Sequence, residues 1–396
     1  MRCKNISRLL APPGKSYRMS RGKLGSEPVG LSARPDANAG INGRFAFVME
    51  MQAGMRTQYL NWREIVEQEP GIDPLWVLVT YWQENGLIER LKFVPGSLRA
   101  ILRSYLEVGR GLKRERFDAV LFNTYNPALV HSRSLADQRA YLMFDVTPIQ
   151  YNTMTEWYLP GVQKRPTLFD GIKRRRVRSA FKAAAGLFAW SNWAAQSAIA
   201  DYGVDPGKIH VVPPGVDTAR WRPGVKPDDG VTRLLFTGGN FERKGGDLLL
   251  RWAKTTSRRN WELHMVTLDE VEAPPGVIIH RNVDSNAPKL VELAQQADIF
   301  VLPTRADCFS IASLEAMAAG LPVLISDVGG IADIVQDGRT GYLLRPGDYD
   351  SMHDHLDSLF DSPAKRVEMG RNGRDVVCSR FDGREQVLRA LRIMAN

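Results

Sequence analysis

Two carboxylates, Asp307 and Glu315, punctuate the stretch ADCFSIASLEAMAAGLPV (306–323), whose other residues are mostly small or apolar. The preceding ADIFVLPT, with its apolar run IFVL, reads as a buried parallel strand. IASLEAMAAG follows as a helix, with Ser310 a cap at its start and Gly320 a stop at its end. Asp307 then lies in the loop at the carboxyl end of a strand, where open α/β sheets bind ligands. Glu315 lies one turn inside the helix, placed to point over the same crevice. A carboxylate accepts hydrogen bonds from neighbouring hydroxyls, so two at this spacing suit a polyol such as a ribose and a sugar. The plainer alternatives are an exposed helix residue and a helix-dipole partner. Leu314, Ala316, Met317, Ala318 and Ala319 make Glu315's surroundings too apolar for an ordinary solvent face.

A second stretch, LLFTGGNFERKGGDLLLRWAK, carries cations. A strand over 233–236 runs into a glycine-rich loop, and a helix begins near Gly246 or Asp247. Glycines allow sharp turning and close approach to a ligand, and a helix start presents free N–H groups to an anion. Arg243 and Lys244 stand just before that start, where they can clamp a diphosphate. A strand-to-helix turn with two solvated cations is the alternative. The loop is neither a P-loop nor GxGxxG, so neither ATP nor NAD is implied.

These segments need a scaffold, and 396 residues suffice for two domains. Residues 1–43 have scattered Gly, Pro, Ser and Arg without apolar periodicity, and we expect a disordered extension; a targeting peptide or a misplaced start nearer Met49 or Met51 fits equally. From Phe45 onward short apolar runs alternate with amphipathic stretches, the βαβ pattern. A Pro-, Gly- and Asp-rich linker over 222–230 separates two such sets. The expected organisation is an α/β chain of two Rossmann-like, doubly wound domains (44–222 and 223–380) facing across a cleft, with a last helix (381–396) packing back on the first domain. No apolar run is long enough to span a membrane, and three scattered cysteines fit no disulfide framework or zinc site, so a reducing cytoplasm is expected. HDH at 353–355 resembles a metal set less than a solvated helix face.

The charge of +9 is uneven: residues 1–215 carry 30 Lys/Arg against 18 Asp/Glu. Two basic stretches, 99–116 and 171–186, have interleaved apolar residues at helical spacing. Each suits either an amphipathic helix on an anionic membrane surface or a charged solvent face. No recognition motif or aromatic platform accompanies the charge, which argues against nucleic acid.

The run DCFSIASLEAMAAGLPVLISDVGG resembles the E-x7-E region of retaining glycosyltransferases of family 4 with the GT-B fold. SNWAAQSAIADYGVDPGKIHVVPPGVDTARWRP, FTGGNFERKGGDLLL and GRTGYLLRPGD are similar to further segments of that family, in the same order. The resemblance implies a retaining, metal-independent hexosyltransferase that moves a sugar from a nucleoside diphosphate sugar, as substrate rather than cofactor, to a glycan or lipid-linked glycan. Glu315 would hold the donor ribose and Asp307 the transferred sugar. Arg243 and Lys244 would neutralise the diphosphate, and Ser310, Ile311 and Ala312 would supply loop or backbone contacts. In the first domain Ala53, Gly54 and Met55 would form a loop facing the donor phosphates, and Arg56 would reach the diphosphate or an acidic acceptor. Three departures stand out. Asp307 replaces the usual first Glu and reaches less far. Gly239 stands in place of an arginine in the donor loop. Phe144 stands where many members carry a histidine, making Asp145 the substitute for positioning sugar or acceptor. These departures keep a silent GT-B partner subunit open as an alternative, as is a GT-B epimerase. The setting implied is cytoplasmic, peripheral at the inner face of the membrane.

Overall fold

The computed structural model describes residues 40–396 apart from 85, 114, 132–137, 160 and 162–167. Most of the expected N-terminal extension therefore lies outside the described residues. The chain builds two six-stranded sheets, each wholly parallel. The first contains β1 (Gly43–Glu50), β2 (Ile72–Val79), β3 (Ala119–Phe122), β4 (Ala140–Phe144), β5 (Gly186–Ala189) and β6 (Ile209–Val211). The second contains β7 (Thr232–Thr237), β8 (Trp261–Val266), β9 (Val277–His280), β10 (Ile299–Leu302), β11 (Val323–Ser326) and β12 (Gly341–Leu344).

Strand order carries the functional consequence. The first sheet runs β2-β1-β3-β4-β5-β6 and the second β12-β11-β10-β7-β8-β9. In each, the chain leaves a central strand in one direction and returns to its other side, so the order reverses between β1 and β3 and between β7 and β10. The loops beyond the carboxyl ends diverge at such a reversal and leave a crevice. The glycine-rich loop follows β7 and the Asp307 loop follows β10, so both stretches singled out above flank the second crevice.

Strands such as FAFVM are apolar on both faces because helices cover both. Phe45, Phe47, Phe122, Phe188, Phe236 and Phe300 are all fully buried, each contributing about 1.5–3 kcal/mol relative to exposure. The helices that matter for the site are α1 (Ala53–Val66), α2 (Gly96–Leu112), α3 (Leu168–Ala183), α4 (Asn192–Tyr202), α5 (Gly246–Thr255), α6 (Pro288–Gln296) and α7 (Ile311–Ala318). The final helix, α8 (Gly383–Ala395), meets the first sheet: Tyr141 donates to the Ile393 carbonyl at 3.0 Å and Arg389 to that of Val211 at 3.1 Å.

Candidate functional site

The glycine-rich loop owes its path to one conformation. Gly245 has φ +80°, and a Cβ there would collide with the Pro303 carbonyl, so only glycine lets β7 turn into α5 this close to the end of β10. The two loops are then stitched together. Arg305 donates its backbone N–H to the Arg243 carbonyl at 2.8 Å and forks onto Asp247 at 2.6 Å. Thr304 Oγ1 donates to the Ala306 carbonyl at 3.1 Å.

This stitching brings Lys244 Nζ onto Asp307 Oδ2. Both side chains are largely buried, at 15% and 9% exposure, so this pair is not a surface ion pair of marginal worth. Behind Asp307 the backbone is held by the DVGG turn: Gly330 N–H donates to the Cys308 carbonyl at 2.9 Å, and a Cβ on Gly329 would strike the Asp307 carbonyl. Arg243 donates to the Ala306 carbonyl at 2.7 Å, and its guanidinium lies 4.5 Å from the centre of the Tyr158 ring. Tyr158 and Trp157, which faces Arg305 at 5.1 Å, come from the first domain and cap the loops from across the cleft.

On α7, Ser310 accepts from Ser313 N–H at 3.2 Å as the cap, and Ile311 and Ala312 form the first turn. Glu315 is buried and lines a small cavity with Trp221, Thr237, Leu290 and Ala312. Burial pushes its carboxyl up to about 8, and the field of Arg220 opposes this only partly. Asp307 and Glu315 thus sit on one loop-helix unit, the first paired with Lys244 and the second with no hydrogen bond to its carboxyl among the described residues. Gly239 lies in the same loop with only Leu268 near the position of a Cβ, leaving room around it.

The first domain departs from the sequence reading in two places. Residues 53–56 are the first turn of α1, not a loop, because Gln52 stands extended as the cap and its carbonyl accepts Met55 N–H at 3.0 Å. Gly54 has open space where a Cβ would be. Arg56 pairs with Asp284 of the second domain at 3.6 Å, beside a Thr57–Ser285 contact of 2.9 Å, so its charge is drawn to the opposite domain. Phe144 packs in the first core, stacked on Phe181 at 5.1 Å between centroids, so this position faces away from the cleft. Asp145, the next residue, is what the end of β4 offers. Its carboxyl is pushed up to about 7, chiefly by burial and secondarily by the fields of Asp307 and Glu50.

Glu50 is the residue that the sequence reading passed over. It ends β1, directly at the first sheet's order reversal, and is buried. Its backbone N–H donates to Asn123 at 2.7 Å, Thr124 Oγ1 donates to its carboxylate, and Tyr81 and Asn126 lie alongside. Burial raises its carboxyl above the usual range. A glutamate directly after the apolar run FAFVM, at a strand's carboxyl end, was the available signal.

Among the described residues no three His, Cys, Asp or Glu side chains converge as a metal set, and His355 of the HDH stretch stacks on Tyr342 at 4.0 Å.

The model of the glycosyl transferases group 1 matches residues 217–376, and that of glycosyltransferase family 4 matches residues 82–220. A D-inositol 3-phosphate glycosyltransferase of Pseudarthrobacter chlorophenolicus is 30% identical over 211 residues, covering 48% of this chain and 50% of its own length. The chain spans about half the length of the curated relatives it matches. Sucrose-phosphate synthase from Thermosynechococcus elongatus superposes with a TM-score of 0.71 at 15% identity, covering 88% of this chain and 98% of that one. The Anabaena protein HepE, solved in complex with UDP-glucose, superposes with a TM-score of 0.63 at 15% identity, covering 89% and 100%. With both halves matched in order and two doubly wound sheets facing one another, the chain belongs to the group 1 glycosyltransferases of family 4 and has the GT-B fold.

Proposed function

We propose that this chain transfers a sugar from a nucleoside diphosphate sugar to a hydroxyl of a glycan or lipid-linked glycan, with retention of anomeric configuration and without a metal ion. The observation that carries this reading is the buried Lys244–Asp307 pair at the β7/β10 reversal, with Glu315 one turn behind it on α7. Glu315 is suited to the ribose hydroxyls, Asp307 to hydroxyls of the transferred sugar, and Lys244 to the diphosphate. Arg243 joins Lys244 where its guanidinium reaches the leaving group. Ser310, Ile311 and Ala312 line the approach, and Gly239 leaves room for it. Leaving-group catalysis then rests on fixed cations aimed at the charge that develops on the β-phosphate. As the C1–O bond to the diphosphate breaks, the acceptor oxygen bonds to C1 on the same face and its proton passes to the departing phosphate oxygen. No cofactor is needed for this balance.

Across the cleft, Asp145 and Glu50 present acceptor-side carboxylates that suit hydroxyls rather than phosphates. Asp145 in its ionised form accepts a hydrogen bond from the acceptor. Its titration near 7 predicts that kcat/KM climbs between about pH 6 and 8 as the carboxylate forms, and that Asp145→Asn flattens this limb; an unchanged limb removes Asp145 from the role. The setting we propose is the cytoplasmic face of a membrane, where the protein binds peripherally. No helix of the described residues is long and apolar enough to cross one.

The reading is tested by incubating the full chain with UDP- and GDP-sugars and measuring release of the nucleoside diphosphate. Release from at least one donor, with an acceptor-dependent product of retained configuration by NMR, is expected. An inverted product refutes retention, and equal release with excess chelator against added Mg²⁺ is expected if no metal takes part.

A further inference from the structure

Helix α2 is turned inside out. Its apolar residues Leu98, Ile101, Leu102 and Tyr105 follow the i, i+3, i+4, i+7 spacing that normally faces a core. Here they face solvent, with Leu98 54% and Tyr105 50% exposed. The buried side of the same helix holds Arg103, Ser104, Val108 and Leu112. Arg103 is tied there by a buried ion pair with Glu89 and by Gln83 at 3.0 Å. Glu89 also accepts Arg99 on its carbonyl at 2.9 Å, which pins the preceding segment to the helix. That segment adds Trp82, Leu87 and Phe93, the last 84% exposed. Isolated exposed apolar residues are ordinary, but seven large ones on one helix and the segment bound to it are not.

The charges beside this face have a matching sign. Arg90, Lys92 and Arg110 are exposed, and no ion pair reaches them among the described residues. The other basic stretch, on α3, exposes Arg174, Arg175 and Arg176 but only Ile172 among its large apolar residues, so it is a charged solvent face. An apolar face flanked by free cations suits the boundary between acyl chains and anionic headgroups.

Resting on the sugar-transfer reading above, we infer that the outer face of α2 with Trp82, Leu87 and Phe93 is the surface that enters an anionic lipid bilayer and presents a lipid-linked acceptor to the cleft. The connection to the cleft is direct. Ser104 on the inner side of α2 adjoins Tyr81, and Tyr81 adjoins Glu50 at the first sheet's reversal. Tyr81 itself holds φ +61°, a left-handed conformation uncommon for an aromatic residue, where the chain turns from β2 into this segment. A single helix therefore has lipid on one side and the acceptor-side carboxylate two contacts away on the other.

Co-sedimentation of the full chain with phosphatidylcholine vesicles, with and without phosphatidylglycerol, tests this at physiological salt. The parent protein is expected to bind the anionic vesicles. Ile101→Ser combined with Leu102→Ser is expected to weaken binding at least about tenfold, while the thermal shift given by UDP- or GDP-sugars is unchanged because both residues lie outside the donor site. Unchanged vesicle binding by the variant, or none by the parent, overturns the inference and leaves sugar transfer standing. A lipid-free dimer of the parent that the double substitution converts to monomer also overturns it, since the face then belongs to a second copy. Loss of the donor shift in the parent strikes the sugar-transfer reading instead.

Discussion

Glu315→Gln weakens binding of the nucleotide-sugar donor by about tenfold to a hundredfold, the loss expected when a buried carboxyl that ionises onto the donor's ribose hydroxyls is replaced by an amide that cannot. The same substitution stabilises the free protein at alkaline pH. The sign follows from the direction of the shift. Burial raises the folded-state carboxyl from its ordinary value of 4.5 to about 8. Between these values the folded protein binds the extra proton, so stability falls as pH rises through the interval and stays lowered above it. Glutamine carries no such proton. The melting temperature of Glu315→Gln should therefore match the parent near pH 4.5 and exceed it by several degrees at pH 9. A residue that costs stability when empty and gains partners when a ribose arrives belongs to a binding site. Equal melting curves at both pH values, with unaltered donor affinity, would return Glu315 to a packing role.

Lys244→Ala has the second large effect, on turnover and stability together. The ammonium is the cation proposed above to meet the diphosphate, and removal of such a fixed charge costs on the order of 10²–10³ in kcat. It also leaves Asp307, 9% exposed, without its partner, a loss of about 3–5 kcal/mol in folding stability. Adding Asp307→Ala separates the two consequences. The double variant regains much of the stability, because no buried charge is orphaned, yet turnover stays low. Recovery of turnover along with stability would show that Lys244 acts only as a structural counter-charge.

Much of this arrangement was legible from residue order alone. Unbroken apolar runs such as FAFVM and IFVL gave the parallel strands, and Ser310 with Gly320 bounded α7 as its cap and stop. The glycine loop was visible because Gly245 has no substitute at φ +80°. What escaped were features that depend on which elements meet in space. Arg56 was read as reaching the diphosphate or an acidic acceptor, and only the fold brings Asp284 to it. Phe144 was read as standing where a functional histidine is usual, yet the fold packs it into the first core against Phe181. The 99–116 stretch was read as either an amphipathic membrane helix or a charged solvent face, and only the fold shows that Arg103 is buried in a pair with Glu89 while Leu98, Ile101, Leu102 and Tyr105 are exposed. Spacing shows that a helix has two faces; which one is covered depends on neighbours distant in sequence.

The central claim is that the β7/β10 crevice is a nucleoside diphosphate sugar site. Its most direct test is the thermal unfolding of the full chain with millimolar UDP- and GDP-sugars, in parallel with Glu315→Gln. Stabilisation of the parent by at least one donor, reduced or abolished by the substitution, is the predicted result. No stabilisation by any nucleotide sugar, or stabilisation that Glu315→Gln leaves intact, would contradict it.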